Sequence, residues 1–246
     1  MRLTQEERET LLKGAPQELS LISSSRSKGL LQEPVETKGE WDGSRFYWVA
    51  ELGRYLPSVT TVISRGFPTS PGLIKWYKET DFKSIESKSD EGKGKGTEAH
   101  AAVEAFIKNG CRVSMVSLED KRLIEGFLNW YNDVKPTFEM VERAIFYAED
   151  GIEVAGRFDF IAIVNGERIM MDLKRSKSIY ESYESQLALY AKAMGCKKAA
   201  ILRLCEKNKK KFQYKEMNVE EGYEAFKAAY KLALYLGVNN KRPEPK

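Results

Sequence analysis

Gly156-Arg157-Phe158-Asp159-Phe160-Ile161-Ala162-Ile163-Val164-Asn165-Gly166-Glu167-Arg168-Ile169-Met170-Met171-Asp172-Leu173-Lys174 reads as two apolar runs joined by Asn-Gly. That pair is the strongest short hairpin signal, because a two-residue type I′ turn needs positive φ at both central positions. Such a turn fixes a register in which Val164 faces Glu167, Asp159 faces Asp172 and Arg157 faces Lys174. Side chains repeat every second residue along a strand. Arg157, Asp159, Asp172 and Lys174 are therefore expected on one face, with Phe158, Phe160, Ile169, Met171 and Leu173 on the other.

Two carboxylates facing each other across a ladder, with β-carbons about 4.5–5.5 Å apart, repel. In a hairpin this apolar they are expected to be buried, which costs several kcal/mol unless a cation compensates. Two compensators fit. One is a divalent metal, for which a carboxylate site suits Mg²⁺ or Mn²⁺. The other is a structural salt-bridge cluster with Arg157 and Lys174. The hairpin alone weighs them equally.

Upstream, residues 97–108 carry Ala99, Ala102, Val103, Phe106 and Ile107 at helical spacing. His100, the single histidine of the chain, and Glu104 form an i, i+4 pair at the edge of that stripe. Taken alone, a histidine there is more often a packed residue than a ligand, and Glu104 a surface carboxylate. A second amphipathic helix is expected over residues 118–134, then a strand over 141–148. Downstream, a helix over 183–194 sets Gln186 and Tyr190 beside Tyr183, Leu187, Ala191 and Met194. A strand over 199–205 and a helix over 219–236 follow. The order from residue 97 is helix, three strands, helix, strand, which predicts an α/β (α+β) fold with a central mixed sheet flanked by helices.

Residues 1–38 are polar and read as an N-terminal extension, residues 39–240 as one domain and 241–246 as a tail. Residues 45–51 read as a strand, and the β-branched run Pro57-Ser58-Val59-Thr60-Thr61-Val62-Ile63 follows it. Pro71 opens a helix with Ser70 as its cap. Residues 80–95 lose their apolar positions and read as a charged, mobile loop, whose glycines do not fit a phosphate-binding P-loop.

The whole chain, 246 residues and 42% hydrophobic, is large enough for one sizeable core. A net charge of +4 permits a nucleic-acid partner without arguing for one. Lys197, Lys198, Arg203, Lys207, Lys209, Lys210 and Lys211 form a basic run, ordinarily a solvated strand and loop, of interest only beside a site that handles phosphate. Cys111, Cys196 and Cys205, with no C-x-x-C pair, exclude a disulfide framework and any four-cysteine zinc or iron–sulfur site. No apolar run approaches the ~20 residues of a membrane span, so a soluble, cytoplasmic protein is expected.

Gly96-Thr97-Glu98-Ala99-His100, Gly156-Arg157-Phe158-Asp159, Asp172-Leu173-Lys174 and Gln186-Leu187-Ala188-Leu189-Tyr190 together resemble the ordered motifs of RecB-like nucleases of the PD-(D/E)XK superfamily. The run 57–63 and Trp76 look like a feature of phage-type members and of the mitochondrial genome maintenance exonuclease. The resemblance spans residues 55–190 and implies a restriction-endonuclease-like αβββαβ core within about 96–206. It implies a DNA nuclease, most readily an exonuclease acting in replication, recombination or repair on DNA with a single strand or a free end. It implies one or two Mg²⁺ or Mn²⁺ ions held by His100, Asp159, Asp172 and the carbonyl of Leu173, with Lys174 assisting catalysis; on that mechanism Glu104 is expected to hold a water of the metal shell. Gln186, Tyr190, Arg157, Arg175 and Trp76 are the expected DNA contacts. A single-strand-binding or recombination protein is the expected partner. Phe158 stands where the family has proline, and the chain lacks the cysteines of the iron–sulfur branch. The alternative is an inactive or structure-specific nucleic-acid-binding module on the same fold.

Overall fold

The computed structural model describes residues 27–31, 35–38, 44–69, 71–241 and 243. Strands β1 (Lys28–Leu30), β5 (Thr137–Glu149), β6 (Ile152–Val164), β7 (Glu167–Lys174), β8 (Lys198–Leu204) and β9 (Phe212–Met217) form a sheet in the order β1-β5-β6-β7-β8-β9. The β7–β8 pair is parallel and the others antiparallel. Strands β2 (Val35–Lys38), β3 (Arg45–Val49) and β4 (Arg54–Pro57) make a small antiparallel sheet. The helices are α1 (Val59–Gly66), α2 (Pro71–Glu79), α3 (Phe82–Lys108), α4 (Leu118–Leu123), α5 (Glu125–Val134), α6 (Glu181–Met194) and α7 (Val219–Tyr235). The chain thus has the expected mixed α/β fold, a central mixed sheet between helices.

Both faces of the sheet are buried. One packs Ile145, Val154, Phe158, Ile161 and Met170 against Leu187 and Tyr190 of α6 and Phe226 of α7. The other packs Phe160, Ala162, Met171 and Leu173 against Val103 and Phe106 of α3 and Phe127 and Trp130 of α5. The larger of these side chains contribute about 1.5–3 kcal/mol each on burial, which is why Phe160-Ile161-Ala162-Ile163-Val164 of β6 and Ile169-Met170-Met171 of β7 read as continuous apolar runs and not as alternating ones.

The Asn-Gly turn is as expected: Asn165 has φ 52° and Gly166 φ 80°, and the β6–β7 pairs run from Val164↔Glu167 to Phe160↔Met171. There the predicted ladder stops. Asp159↔Asp172 and Arg157↔Lys174 do not pair; Arg157 pairs with Ala144 of β5, and Lys174 with Arg203 of β8. Each strand follows its outer neighbour and the two splay apart. The expected faces are also corrected. Phe158 enters the core under α6, whereas Phe160 enters the core under α3. Strict alternation would have put them together; the side changes at Asp159. In β5 it changes across Glu142, between Val141 and Ile145.

Other expectations change as well. Residues 82–95, read as a loop, belong to the 27-residue helix α3. Lys and Glu favour helix, and propensity of this kind leaves no apolar stripe in the sequence. The run Val59-Thr60-Thr61-Val62-Ile63 is helical, because Ser58 caps α1 by accepting from the Thr61 N–H. The helix expected over 118–134 breaks at Ile124 into α4 and α5. Part of the expected extension is structural: β1 pairs with β5, β2 pairs with β3, and Leu31 is buried. Residues 1–26 and Ser70 lie outside the described residues.

Candidate metal centre

His100 is brought to the sheet by the apolar stripe of α3, which buries Ala99, Ala102, Val103 and Phe106. Its Nδ1 lies 3.4 Å from Asp159 Oδ1 and 3.7 Å from Glu142 Oε1. One donor atom from each of these three residues falls within 4.8 Å of the others, so the group can hold a metal ion. All three side chains are half-buried, which limits the water available to carboxylates so close together. An imidazole nitrogen with two carboxylates is a fitting donor set for a divalent cation.

Glu142 was not among the expected ligands. It stands in the register position opposite Asp159, between the pairs Val141↔Phe160 and Arg143↔Phe158, but forms no ladder pair itself. Its φ is +47°, a left-handed conformation costing a non-glycine residue on the order of 1–3 kcal/mol. That kink directs the carboxylate toward His100. Its one trace in the sequence is a carboxylate beside Arg143 in the polar first half of β5, which a solvated strand residue would leave equally well.

Asp159 and Asp172 do come close, each held by a different partner. Asp159 Oδ2 accepts the Leu173 N–H at 2.6 Å. Asp172 is buried at the end of β7 and held by Lys174, whose Nζ lies 2.7 Å from each of its oxygens. Lys174 donates to Oδ1, whereas the buried Oδ2 receives no aligned hydrogen bond. Asp172 is therefore outside the three-residue group while adjoining it electrostatically.

Burial by itself lowers the basicity of His100; hydrogen bonding and charge from Asp159, then Glu142, outweigh it and lift the imidazole to about 10. Burial raises the Asp159 carboxyl, yet His100 and Lys174 reverse this and hold it low. Asp172 goes the other way. Burial is the main cause, partly offset by Lys174 and reinforced by Asp159, and its carboxyl rises to about 6. Lys174 is disfavoured as a cation by burial, but Asp172 and Asp159 hold it charged. Its ammonium also lies 5.0 Å from the centre of the Tyr183 ring of α6.

Among the other expected residues, Tyr190 is buried against the site. Burial first, then the charges of Tyr47, Asp172 and Asp159, keep its hydroxyl protonated. Gln186 hydrogen-bonds it. Glu104 and Leu173 line the crevice that opens onto His100, Glu142 and Asp159, and Glu104 is paired with Lys108 at 2.5 Å. Arg157 is exposed on the opposite side of β6 from Phe158 and does not join Lys174, because the strand follows β5. Arg175 pairs with Glu206 at 2.9 Å and lines a neighbouring groove with Lys95 and Arg122. The side chain of Trp76 lies outside the described residues. Among the described residues, no helix is long and apolar enough to cross a membrane.

No protein-family model matches the chain, and no curated protein matches it. Among solved structures it is similar to the crystal structure of SSO0001, at 16% identity over 57% of this chain and 72% of that one, with a TM-score of 0.31. That similarity is too slight to transfer a role.

Proposed function

We propose that this chain is a metal-dependent nuclease that hydrolyses phosphodiester bonds in DNA, most readily as an exonuclease in replication, recombination or repair. The observation that carries this reading is the convergence of His100, Glu142 and Asp159 within 4.8 Å, beside a buried Asp172–Lys174 pair. His100, Glu142 and Asp159 would hold Mg²⁺ or Mn²⁺. When bound, such a cation polarises a scissile phosphate and acidifies a water.

The chain's own residues supply the remaining functions. Lys174, kept cationic by Asp172, offers a positive charge to the phosphate oxygens as negative charge grows on them. Asp172 fixes that ammonium from a buried position at the end of β7. Tyr190 and Gln186 close the side of the site under α6.

The test is a time course on end-labelled and circular DNA, single- and double-stranded, with Mg²⁺, with Mn²⁺ and with EDTA. Metal-dependent loss of linear substrate, abolished in Asp159→Ala, is the expected result. Equal cleavage by Asp159→Ala and the parent protein removes the reading. Resistance of circles establishes end dependence.

The bond between Lys174 and Asp172 favours a second reading, a structural salt-bridge cluster on a binding module. That reading predicts no rise in melting temperature on adding Mn²⁺, whereas a bound metal raises it.

A further inference from the structure

We infer that the turn between β8 and β9, residues 205–211, together with Lys177, carries the backbone of a DNA strand toward the candidate centre. This deepens the nuclease reading and rests on it. The turn is Cys205-Glu206-Lys207-Asn208-Lys209-Lys210-Lys211. It is the core of the basic run that gains meaning only beside a phosphate-handling site.

The tertiary structure puts it there. β7 and β8 are parallel and end at the same edge of the sheet, Lys174 opposite Arg203. Asp172 lies level with Ile201, so the turn begins on the order of 15 Å further along the strand direction, a span of a few nucleotides. Arg203 Nη1 fastens the segment after Lys174 by donating to the carbonyls of Ser176 and Lys177, each at 3.0 Å.

The turn is fixed, which separates it from an ordinary solvated loop. The Cys205 N–H donates to the Lys211 carbonyl at 2.8 Å, and the Lys211 N–H to the Asn208 carbonyl at 3.1 Å. Asn129 of α5 donates to the Lys210 carbonyl at 3.1 Å. A Cβ at Gly126 would lie 2.1 Å from the Lys211 oxygen, so this backbone rests directly on α5. Ammonium groups presented from such a frame lose less entropy when they meet an anion.

The charges divide cleanly. Lys210 is bound to Asp133 at 2.8 Å, and Lys211 donates to the Glu206 carbonyl at 3.2 Å. The single acid of the turn, Glu206, is held by Arg175. Lys207, Lys209 and Lys177 are exposed and have no ion pair among the described residues. Three unneutralised ammonium groups on long stems, at the end of the sheet where the centre lies, match a run of phosphodiesters and carry no base preference.

The test is binding of a labelled single-stranded oligonucleotide of mixed sequence, in EDTA so that nothing is cut, across a salt series. The triple variant Lys177→Ala/Lys207→Ala/Lys209→Ala should bind several-fold more weakly, with a slope of log K against log salt shallower by about 2, from ~0.7 per phosphate contact on a single strand. A control removing Lys192, Lys197 and Lys198, at the opposite end of β8, should keep the parent slope. An unchanged slope in the first variant, or an equal change in both, overturns the inference. Cleavage of DNA by the parent protein with Mg²⁺ or Mn²⁺ is scored separately: a parent that cuts, beside a triple variant of unchanged slope, sinks this inference alone, and a parent that neither cuts nor binds sinks both.

Discussion

Leu173 donates its backbone N–H to Asp159 Oδ2 at 2.6 Å, one residue pair beyond the point where β6 and β7 stop pairing. The carboxylate thus replaces a strand backbone. It satisfies an N–H that the splayed ladder would leave unpaired, and it spans the gap into which His100 projects. Asp159 is thus a brace of the sheet as well as a candidate ligand for a cation.

Asp159→Ala removes both roles. Loss of the acceptor for a buried N–H costs about 1–3 kcal/mol, so urea denaturation should show a lower midpoint as well as loss of cleavage. Asp159→Asn keeps an oxygen for Leu173. It should retain most of the stability while losing the rise in melting temperature with Mn²⁺. Equal stability loss in both variants would mean that the brace is unimportant.

Glu142 separates stability from function. Its φ of +47° suits glycine, so Glu142→Gly should relieve strain of about 1 kcal/mol or more; with the His100 ion pair lost in both variants, its metal-free melting temperature should exceed that of Glu142→Gln. Both Glu142→Gly and Glu142→Gln should weaken Mn²⁺ binding at least tenfold by calorimetry. Unaltered affinity would place Glu142 outside the centre.

Asp172 and Lys174 should behave as a buried pair. Lys174→Met leaves a buried carboxylate without its cation, and breaking such a pair costs about 3–5 kcal/mol. The Asp172 carboxyl already sits at about 6, raised chiefly by burial; with Lys174 gone it protonates more readily, which softens the loss at low pH. Asp172→Asn/Lys174→Met should recover most of the stability but no activity. A double variant as unstable as the single one would contradict the pairing.

Gly156 is required by Tyr190. A Cβ at position 156 would lie 2.5 Å from the Tyr190 hydroxyl and 3.1 Å from Cε1. Gly156→Ala should destabilise by about 1–3 kcal/mol through overpacking. Tyr190→Phe in the same chain should restore part of this and not all, because the ring edge still crowds the methyl. Thermal denaturation of the two variants and their combination decides it.

The metal-free protein should lose stability as pH rises from about 6.5 to 10. His100 ionises near 6.5 in the unfolded chain and at about 10 when folded, where Asp159 and Glu142 favour the cation against burial and Lys174. A raised pKa contributes fully below the unfolded value and is lost as pH climbs through the folded one. A metal must displace that proton, so Mn²⁺ affinity should grow with pH over the same interval. Melting temperatures in EDTA and in Mn²⁺ should therefore diverge as pH rises. A His100→Gln protein with the parent's pH dependence would exclude this origin.

Much of the architecture is legible in local sequence. Asn165-Gly166 sets the hairpin register by turn geometry alone, and it holds from Val164↔Glu167 to Phe160↔Met171. The stripe of α3 places His100 toward the sheet, and the apolar runs of β6 and β7 require cover on both faces. Glycine-rich, charged residues before Thr97 misled, since helix propensity alone leaves no periodic mark.

The sequence by itself determined the helix, three-strand, helix, strand order from residue 97, the hairpin, and the residues able to carry chemistry with Glu142 excepted. Only the tertiary structure decided which of them meet. A two-strand register extrapolates to Asp159 opposite Asp172, but β5 and β8 compete for the same strands, and the ladder opens where each outer partner wins. That opening turns Asp159 toward His100, brings in Glu142 from a third strand, and leaves Asp172 to Lys174. Pairing rules between neighbours do not contain this result, because it depends on four strands and a helix meeting at one point.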